Sequence, residues 1–353
     1  MAGGVGSRFW PMSRSSHPKQ FIDILGTGKS LLQQTYERFS NLCPDENIYV
    51  VTNESYADLV KQQLPLVSEN HILLEPQRRN TAPCIAYATY KIAQENPDAN
   101  IVIAPSDHII LKKEIFEETI THALDFTNKK ECLLTLGIRP SRPDTGYGYI
   151  QFVDDKSVSE FKISKVKTFT EKPNLEMAKF FLRSGEFLWN SGIFIWKLKS
   201  IQKAFEKYLP EIHHAFSEGT TSYNSSGEVE FIQKVYAQVQ NISIDYGIME
   251  KADNVHVLSA DFGWSDLGTW GSLYEHREKN EDGNAVVGSH VLTYGVKNCI
   301  VNMPKNKLVI LQGIENCIVV ESDNTLLICR MEDEQMIRQF VNDVKISKGE
   351  KYL

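Results

Sequence analysis

Short, unbroken apolar runs recur through the first third of the chain, and they limit the possible folds more than any other feature. Ile48-Tyr49-Val50-Val51, His71-Ile72-Leu73-Leu74, Ile101-Val102-Ile103-Ala104 and Leu133 to Gly137 each have the length of a strand rather than a helix. Between them the period changes. Leu31, Leu32, Thr35, Tyr36, Phe39 and Leu42 fall on one helical face over 30–42, residues 54–64 read as a second helix, and Ile85, Ala88 and Ala93 mark a third. A strand that is apolar on both sides needs cover on both sides. The alternation therefore predicts an α/β fold whose mixed sheet is mostly parallel, with helices on both faces. Ligands of such sheets sit beyond the carboxyl ends of the strands, so the residues that follow each run are where chemistry is sought.

The opening Gly3-Gly4-Val5-Gly6-Ser7-Arg8 is a second constraint. Three glycines in four positions let the backbone bend and turn its N–H groups toward an anion. Arg8 adds a fork of donors suited to phosphate, and Lys19 a mobile point charge eleven residues later. This is equipment for gripping a nucleoside triphosphate, although a glycine turn followed by surface bases would use the same glycines. No Gly-Lys-Ser/Thr closes the loop, so it is not a P-loop, and the spacing is not that of the dinucleotide-binding fingerprint. The formal net charge of −7 argues against a general nucleic-acid binder and leaves polyphosphate binding to such a local cluster.

Glu75-Pro76 and Arg78-Arg79-Asn80-Thr81 follow the second run, and either Asn80 or Thr81 can cap the next helix. Pro105-Ser106-Asp107-His108 follows the third. One carboxylate there suits a Mg²⁺ ion shared with substrate phosphates, and equally suits a turn or a cap; His108 reads as a local hydrogen-bonding residue. In Thr145-Gly146-Tyr147-Gly148, two glycines beside an aromatic let the backbone pass close to a ligand ring or form a bulged hairpin. Glu171 and Asn190 are groups that bind sugar hydroxyls, and Lys172 suits a sugar phosphate. Asp245 follows a capping serine and serves a cap or a site equally well.

Gly-Gly-x-Gly-Ser-Arg-x-Trp-Pro-x-Ser-Arg over residues 3–14, with Pro18-Lys19-Gln20, resembles the signature of the sugar-1-phosphate nucleotidylyltransferases. The spelling with Ser7, Trp10, Ser13 and Arg14 is most similar to the mannose-1-phosphate guanylyltransferases, and the likeness extends over the first ~270 residues. The resemblance implies a Rossmann-like catalytic domain over 1–280 and a short C-terminal left-handed parallel β-helix with a terminal helix over 281–353. It implies GTP and mannose 1-phosphate as substrates and Mg²⁺ as the cofactor. Gly3, Gly4, Gly6, Ser7 and Arg8 would hold the nucleotide phosphates, and Glu75, Arg79, Asn80 and Thr81 would line the base pocket. Gly146, Glu171, Lys172 and Asn190 would hold the sugar phosphate, and Asp107 and Asp266 the metal, with Arg8, Lys19 and Asp107 as the catalytic set.

The tail supports the β-helix independently, because Val296-Lys297-Asn298-Cys299-Ile300-Val301 recurs eighteen residues later as Ile314-Glu315-Asn316-Cys317-Ile318-Val319. Eighteen residues is three hexapeptides, one coil of such a helix. A coil or two is too short to stand alone, so a homodimer is expected. A charged helix is expected from Glu332 to Asp343. Six cysteines without a C-x-x-C pair read as reduced thiols of a cytoplasmic protein, and no apolar run reaches membrane-spanning length. A glycine loop of this kind normally follows a buried strand, yet only Met1 and Ala2 precede it, so Met1 is not expected to be the natural start. Some relatives add a metal-binding isomerase domain; the nine histidines here form no cluster, and a single activity is expected. The competing expectations are a different base or sugar, such as a thymidylyl- or uridylyltransferase, and a non-catalytic homologue. The latter tends to lose the loop bases or the carboxylates that this chain keeps.

Overall fold

The computed structural model describes residues 1–153 and 162–353, and contacts divide the chain into two compact units. The first comprises Met1–Gly3, Thr35–Ser106 and Ile110–Trp264, and the second Gly4–Gln34, Asp107–Ile109 and Ser265–Leu353. Residues 4–34 thus cluster with the C-terminal segment, a division other than one at residue 280. Distant stretches of chain share a core because buried apolar area, not sequence distance, decides which segments cohere.

The first unit is a mixed α/β structure. Its principal sheet runs Asn100–Ile103, Phe187–Lys197, Leu133–Ile138, Val255–Ser259, Ile163–Thr170, Tyr149–Phe152. The expected predominance of parallel pairing holds for Val50–Asn53 against Ile72–Glu75, but not for this sheet. Only Leu133–Ile138 with Val255–Ser259 is parallel there; the other described pairings are antiparallel. The reason lies in Phe187–Lys197, which enters between two apolar strands and runs against both. Apolar residues on both faces of a strand report cover on both sides, and carry no information about direction.

That cover is present. Phe194 and Trp196 pack with Tyr87, Tyr90, Ile201 and Phe205 on one face, while Ile193 and Ile195 pack with Phe116, Ile120 and Ala123 on the other. The two-residue alternation of the strand divides its side chains between two helical layers. Each large side chain enclosed in this way contributes about 1.5–3 kcal/mol. Asn190 lies inside this strand rather than in a loop before it. Beside it, Gly192 takes a left-handed φ of 70°, and the register with the neighbouring strand slips between Thr135 and Gly137. Such bulges redirect side chains.

The second unit is built on the glycine loop and the tail. Phe9, Trp10, Ile24, Trp270, Ile300, Ile318 and Ile337 form its core. The eighteen-residue repeat is visible in the backbone. Ile300 lies opposite Ile318, and Val291 opposite Val309, both in parallel pairs. Thr325–Arg330 then turns back antiparallel along Cys317–Ser322. The expected charged helix is a turn over Met331–Met336 followed by a helix over Ile337–Lys348. No helix among the described residues is long and apolar enough to cross a membrane.

Asn298 and Asn316, one repeat apart, both turn the chain at a φ of 52°. A β-carbon is strained there, and asparagine tolerates the conformation better than most residues. Asn298→Ala and Asn316→Ala should each lower stability by about 1 kcal/mol in urea unfolding, whereas the glycine variants should keep the wild-type midpoint. Tolerance of both alanines would show that these corners carry no strain.

Candidate active site

In the second unit, the bend at Gly6 has φ 66° and ψ 37° and leads into the turn Ser7–Phe9. A β-carbon on Gly6 would stand 2.7 Å from Cβ of Lys19, so the Lys19 stem lies directly over the loop. Ser13 Oγ donates to Val5 O at 2.7 Å and Gln20 Nε2 to Gly4 O at 2.9 Å, which fixes the loop on both sides. Arg14 donates to Ser322 O, and the Trp10 indole to Tyr352 O, so these two signature residues serve as structural ties.

Lys19 is not the mobile charge that its sequence position predicts. It is 4% exposed, and its ammonium has an acceptor for each of its three protons. These are Asp107 Oδ2 at 3.0 Å, Asp266 O at 2.7 Å and Leu267 O at 3.1 Å. Asp107 and Asp266, 159 positions apart in sequence, are thereby held around one cation. Burial alone would raise the Asp107 carboxyl, but the neighbouring Lys19 charge and His108 hold it below the usual carboxylate range. Its Oδ1 lies 3.9 Å from His108 Nε2, and Asp266 Oδ1 accepts from the Gly268 N–H at 2.8 Å. The donor set is two carboxylates, which fits a Mg²⁺ ion that takes its remaining oxygens from phosphates and water. Among the described residues no group of three or more metal-ligating side chains gathers. Arg8 differs from Lys19: its Nε is buried and has no hydrogen-bond partner.

In the first unit, Glu75 ends the strand Ile72–Glu75 and is 6% exposed. The Tyr236 hydroxyl donates to its Oε1 at 2.9 Å, and a β-carbon on Gly3 would stand 3.4 Å from its other oxygen. Burial pushes the Glu75 carboxyl up to about 7, against the opposing pull of the Tyr236 bond. Arg79 Nε donates to the Tyr236 carbonyl at 3.0 Å. Asn80 caps the helix Thr81–Glu95 by accepting from the Thr81 N–H, and Thr81 Oγ1 accepts from the Ile244 N–H. Asn80 has φ 69° and ψ −168°, a conformation that is nearly glycine-only and costs about 1–3 kcal/mol.

A second polar group gathers around the bulge. The Asn190 amide donates to Asp245 Oδ1 at 2.8 Å and accepts from Thr135 Oγ1 and the Gly192 N–H, each at 3.1 Å. Lys172, itself left-handed at φ 48°, pairs with Glu171. A β-carbon on Gly148 would collide with the Glu171 carboxylate, and the Gly146 N–H donates to Asp144 Oδ1 at 2.8 Å. Burial and the Glu171 charge push Asp245 up to about 6, with the Asn190 bond acting in the opposite sense. Asp245 therefore joins Glu171 and Asn190, a placement the sequence left open between cap and site. Tyr236 and Thr135 gave no signal in the sequence, since a tyrosine in an amphipathic helix and a threonine in a strand read as core.

Glu75 and Asp245 have ordinary values of 4.5 and 3.8, and folding raises both. The folded state then binds more protons than the unfolded chain between these values and about 7, so stability falls as pH rises through that window. Glu75→Gln and Asp245→Asn should each flatten this part of the profile of unfolding free energy against pH; an unchanged slope in both would show that the carboxyls titrate normally. Lys19→Met, which takes the ammonium away from Asp107, should cost roughly 3 kcal/mol in chemical unfolding, and adding Asp107→Asn should recover part of it. Equal stability of the single variant and wild type would remove the pair from the structural framework.

The family described as nucleotidyl transferase matches residues 1–283. The whole chain is 35% identical to a mannose-1-phosphate guanylyltransferase of Klebsiella pneumoniae, of which it covers 74%. It is 34% identical to a putative mannose-1-phosphate guanylyltransferase of Vibrio cholerae serotype O1, of which it covers 75%. A crystal structure from Thermus thermophilus, described as a mannose-1-phosphate geranyltransferase, superposes with a TM-score of 0.86 at 28% identity, over 98% of both chains.

Proposed function

The chain belongs to the nucleotidyl transferase family, and from that premise we propose that it joins GTP to mannose 1-phosphate, forming GDP-mannose and pyrophosphate. The observation that carries this reading is the gathering of the Gly6 bend, Lys19, Asp107 and Asp266 in one cluster, with the unpartnered Arg8 nitrogen in the turn that follows the bend. A phosphate oxygen of the sugar phosphate attacks the α-phosphorus in line. The bond from that phosphorus to the α–β bridging oxygen breaks, and pyrophosphate leaves with the electron pair. Such transfers depend on positioning and charge neutralisation rather than on a protein nucleophile.

The loop N–H groups and Arg8 hold the departing pyrophosphate. Lys19 positions Asp107 and Asp266 through its three bonds, and neutralises charge beside the reacting phosphate. Asp107 and Asp266 would hold a Mg²⁺ ion, which would supply further neutralisation of the phosphate oxygens. Glu75, Arg79, Asn80 and Thr81 serve the base. An acceptor facing N1–H and the 2-amino group of guanine would leave its partner unpaired with adenine, a mismatch that sites of this kind reject strongly. Gly146, Glu171, Lys172 and Asn190 serve the sugar phosphate, joined by Asp245.

These groups all fall within residues 1–280, the proposed catalytic domain. The parallel pairs at an eighteen-residue offset support reading 281–353 as a short left-handed β-helix with its terminal helix. Exposed Leu292 beside Ile310, with Tyr294, supports a homodimer formed through this segment. Six cysteines without a disulfide support the reducing cytoplasm as its compartment.

With mannose 1-phosphate and Mg²⁺, a panel of the four ribonucleoside triphosphates and dTTP should release pyrophosphate fastest from GTP, by at least about 10²-fold. Asp107→Asn should lower kcat by about 10²–10³. Faster turnover of dTTP or UTP would overturn the base assignment, and an active Asp107→Asn enzyme the metal assignment.

A further inference from the structure

The helix Ile337–Lys348 packs on the turn Ser7–Phe9, at the phosphate loop. Ile337 is fully buried in the same core as Phe9, Trp10 and Trp270, and Phe340, Val341 and Val344 lean on that core. The first turn of the helix is thereby anchored beside the loop. Arg338 follows the anchoring Ile337, close enough to Arg8 for the two charges to act on each other.

Two cations within reach of each other repel, and a negative group that meets both relieves that repulsion. Among the described residues neither Arg8 nor Arg338 has an ion-pair partner, and the buried Arg8 Nε has no acceptor at all. Partial desolvation and, second, the Arg8 charge hold the Arg338 guanidinium below its ordinary value. A linked pair of phosphates carries the charge, and the several acceptor oxygens, that two guanidinium forks can share.

We propose that Arg338 is a second guanidinium of the site that holds the pyrophosphate portion of the nucleotide, acting together with Arg8 on the β- and γ-phosphates. The C-terminal helix is then part of the substrate-binding machinery. This rests on reading the glycine loop as the triphosphate cradle.

The full-length chain is tested with Mg²⁺ by measuring binding of GTP, inorganic pyrophosphate and mannose 1-phosphate to the wild type, Arg8→Gln, Arg338→Gln, Arg338→Glu and Arg338→Lys. Arg338→Gln should weaken GTP and pyrophosphate about 10-fold and Arg338→Glu at least 100-fold, with Arg338→Lys intermediate. Mannose 1-phosphate binding and the unfolding midpoint should stay within experimental scatter of wild type, which a structural role for Arg338 would not allow. If wild type binds pyrophosphate and Arg8→Gln loses it while both Arg338→Gln and Arg338→Glu bind like wild type, Arg338 is excluded and the cradle stands. If wild type binds neither GTP nor pyrophosphate, the cradle itself is wrong and Arg338 falls with it. An equal loss for all three ligands would overturn the assignment in favour of a packing role.

Discussion

One buried ammonium organises the second unit. Lys19 draws its three bonds from Asp107 and from the carbonyls of Asp266 and Leu267, so a single charge joins three segments that are remote in sequence. Taking such a charge out of water is costly unless each proton is met and an opposite charge stands close by. Both conditions hold, and the Phe9 ring adds its face 5.7 Å from the ammonium. The demand spreads outward. The Lys19 stem occupies the space where a side chain at position 6 would stand, so the bend there must be glycine on grounds of room as well as of φ. The loop, the Asp107 carboxylate and the cation are therefore interdependent, and a change in any one is felt by the others.

The first unit meets a different constraint, that of placing polar groups inside and beside tightly packed sheets. Its solution is irregular backbone. The bulge at Gly192 accompanies an Asn190 side chain that satisfies Thr135 and Asp245 together, and Asn80 holds a strained conformation while capping its helix. Two carboxyls are raised by their surroundings: Glu75 by enclosure, Asp245 by enclosure and by the charge on Glu171. Strain and raised carboxyl values occur together at these fixed groups, which is the pattern expected of sites that trade stability for preorganisation.

Most of the local structure was legible from period and length. The strands near 50, 73, 102 and 135, and the helices that alternate with them, lie where apolar spacing put them. The eighteen-residue repeat was read from Asn-Cys-Ile-Val alone, and the backbone pairs Ile300 with Ile318 accordingly. Asn190 was less legible, because its neighbours Ser191 and Gly192 look like a loop and are instead a bulge within an eleven-residue strand. Tyr236, which holds both Glu75 and Arg79, was invisible: nothing in a helical tyrosine says which distant carboxylate it will meet.

Residue types and their spacing determined by themselves the α/β class, the family signature, and which side chains have the chemistry to meet phosphates, sugar and metal. These are local properties, carried by period, by glycine content and by the donors and acceptors that each side chain brings. Only the tertiary structure decided that the long strand runs antiparallel, that Lys19 is a buried clasp rather than a free charge, that Asp245 sits with Asn190, and that the C-terminal helix packs on the turn that carries Arg8. Those outcomes depend on which distant surfaces bury one another, and burial is a property of the whole packed chain, set by area removed from water and by partners no short window of sequence contains.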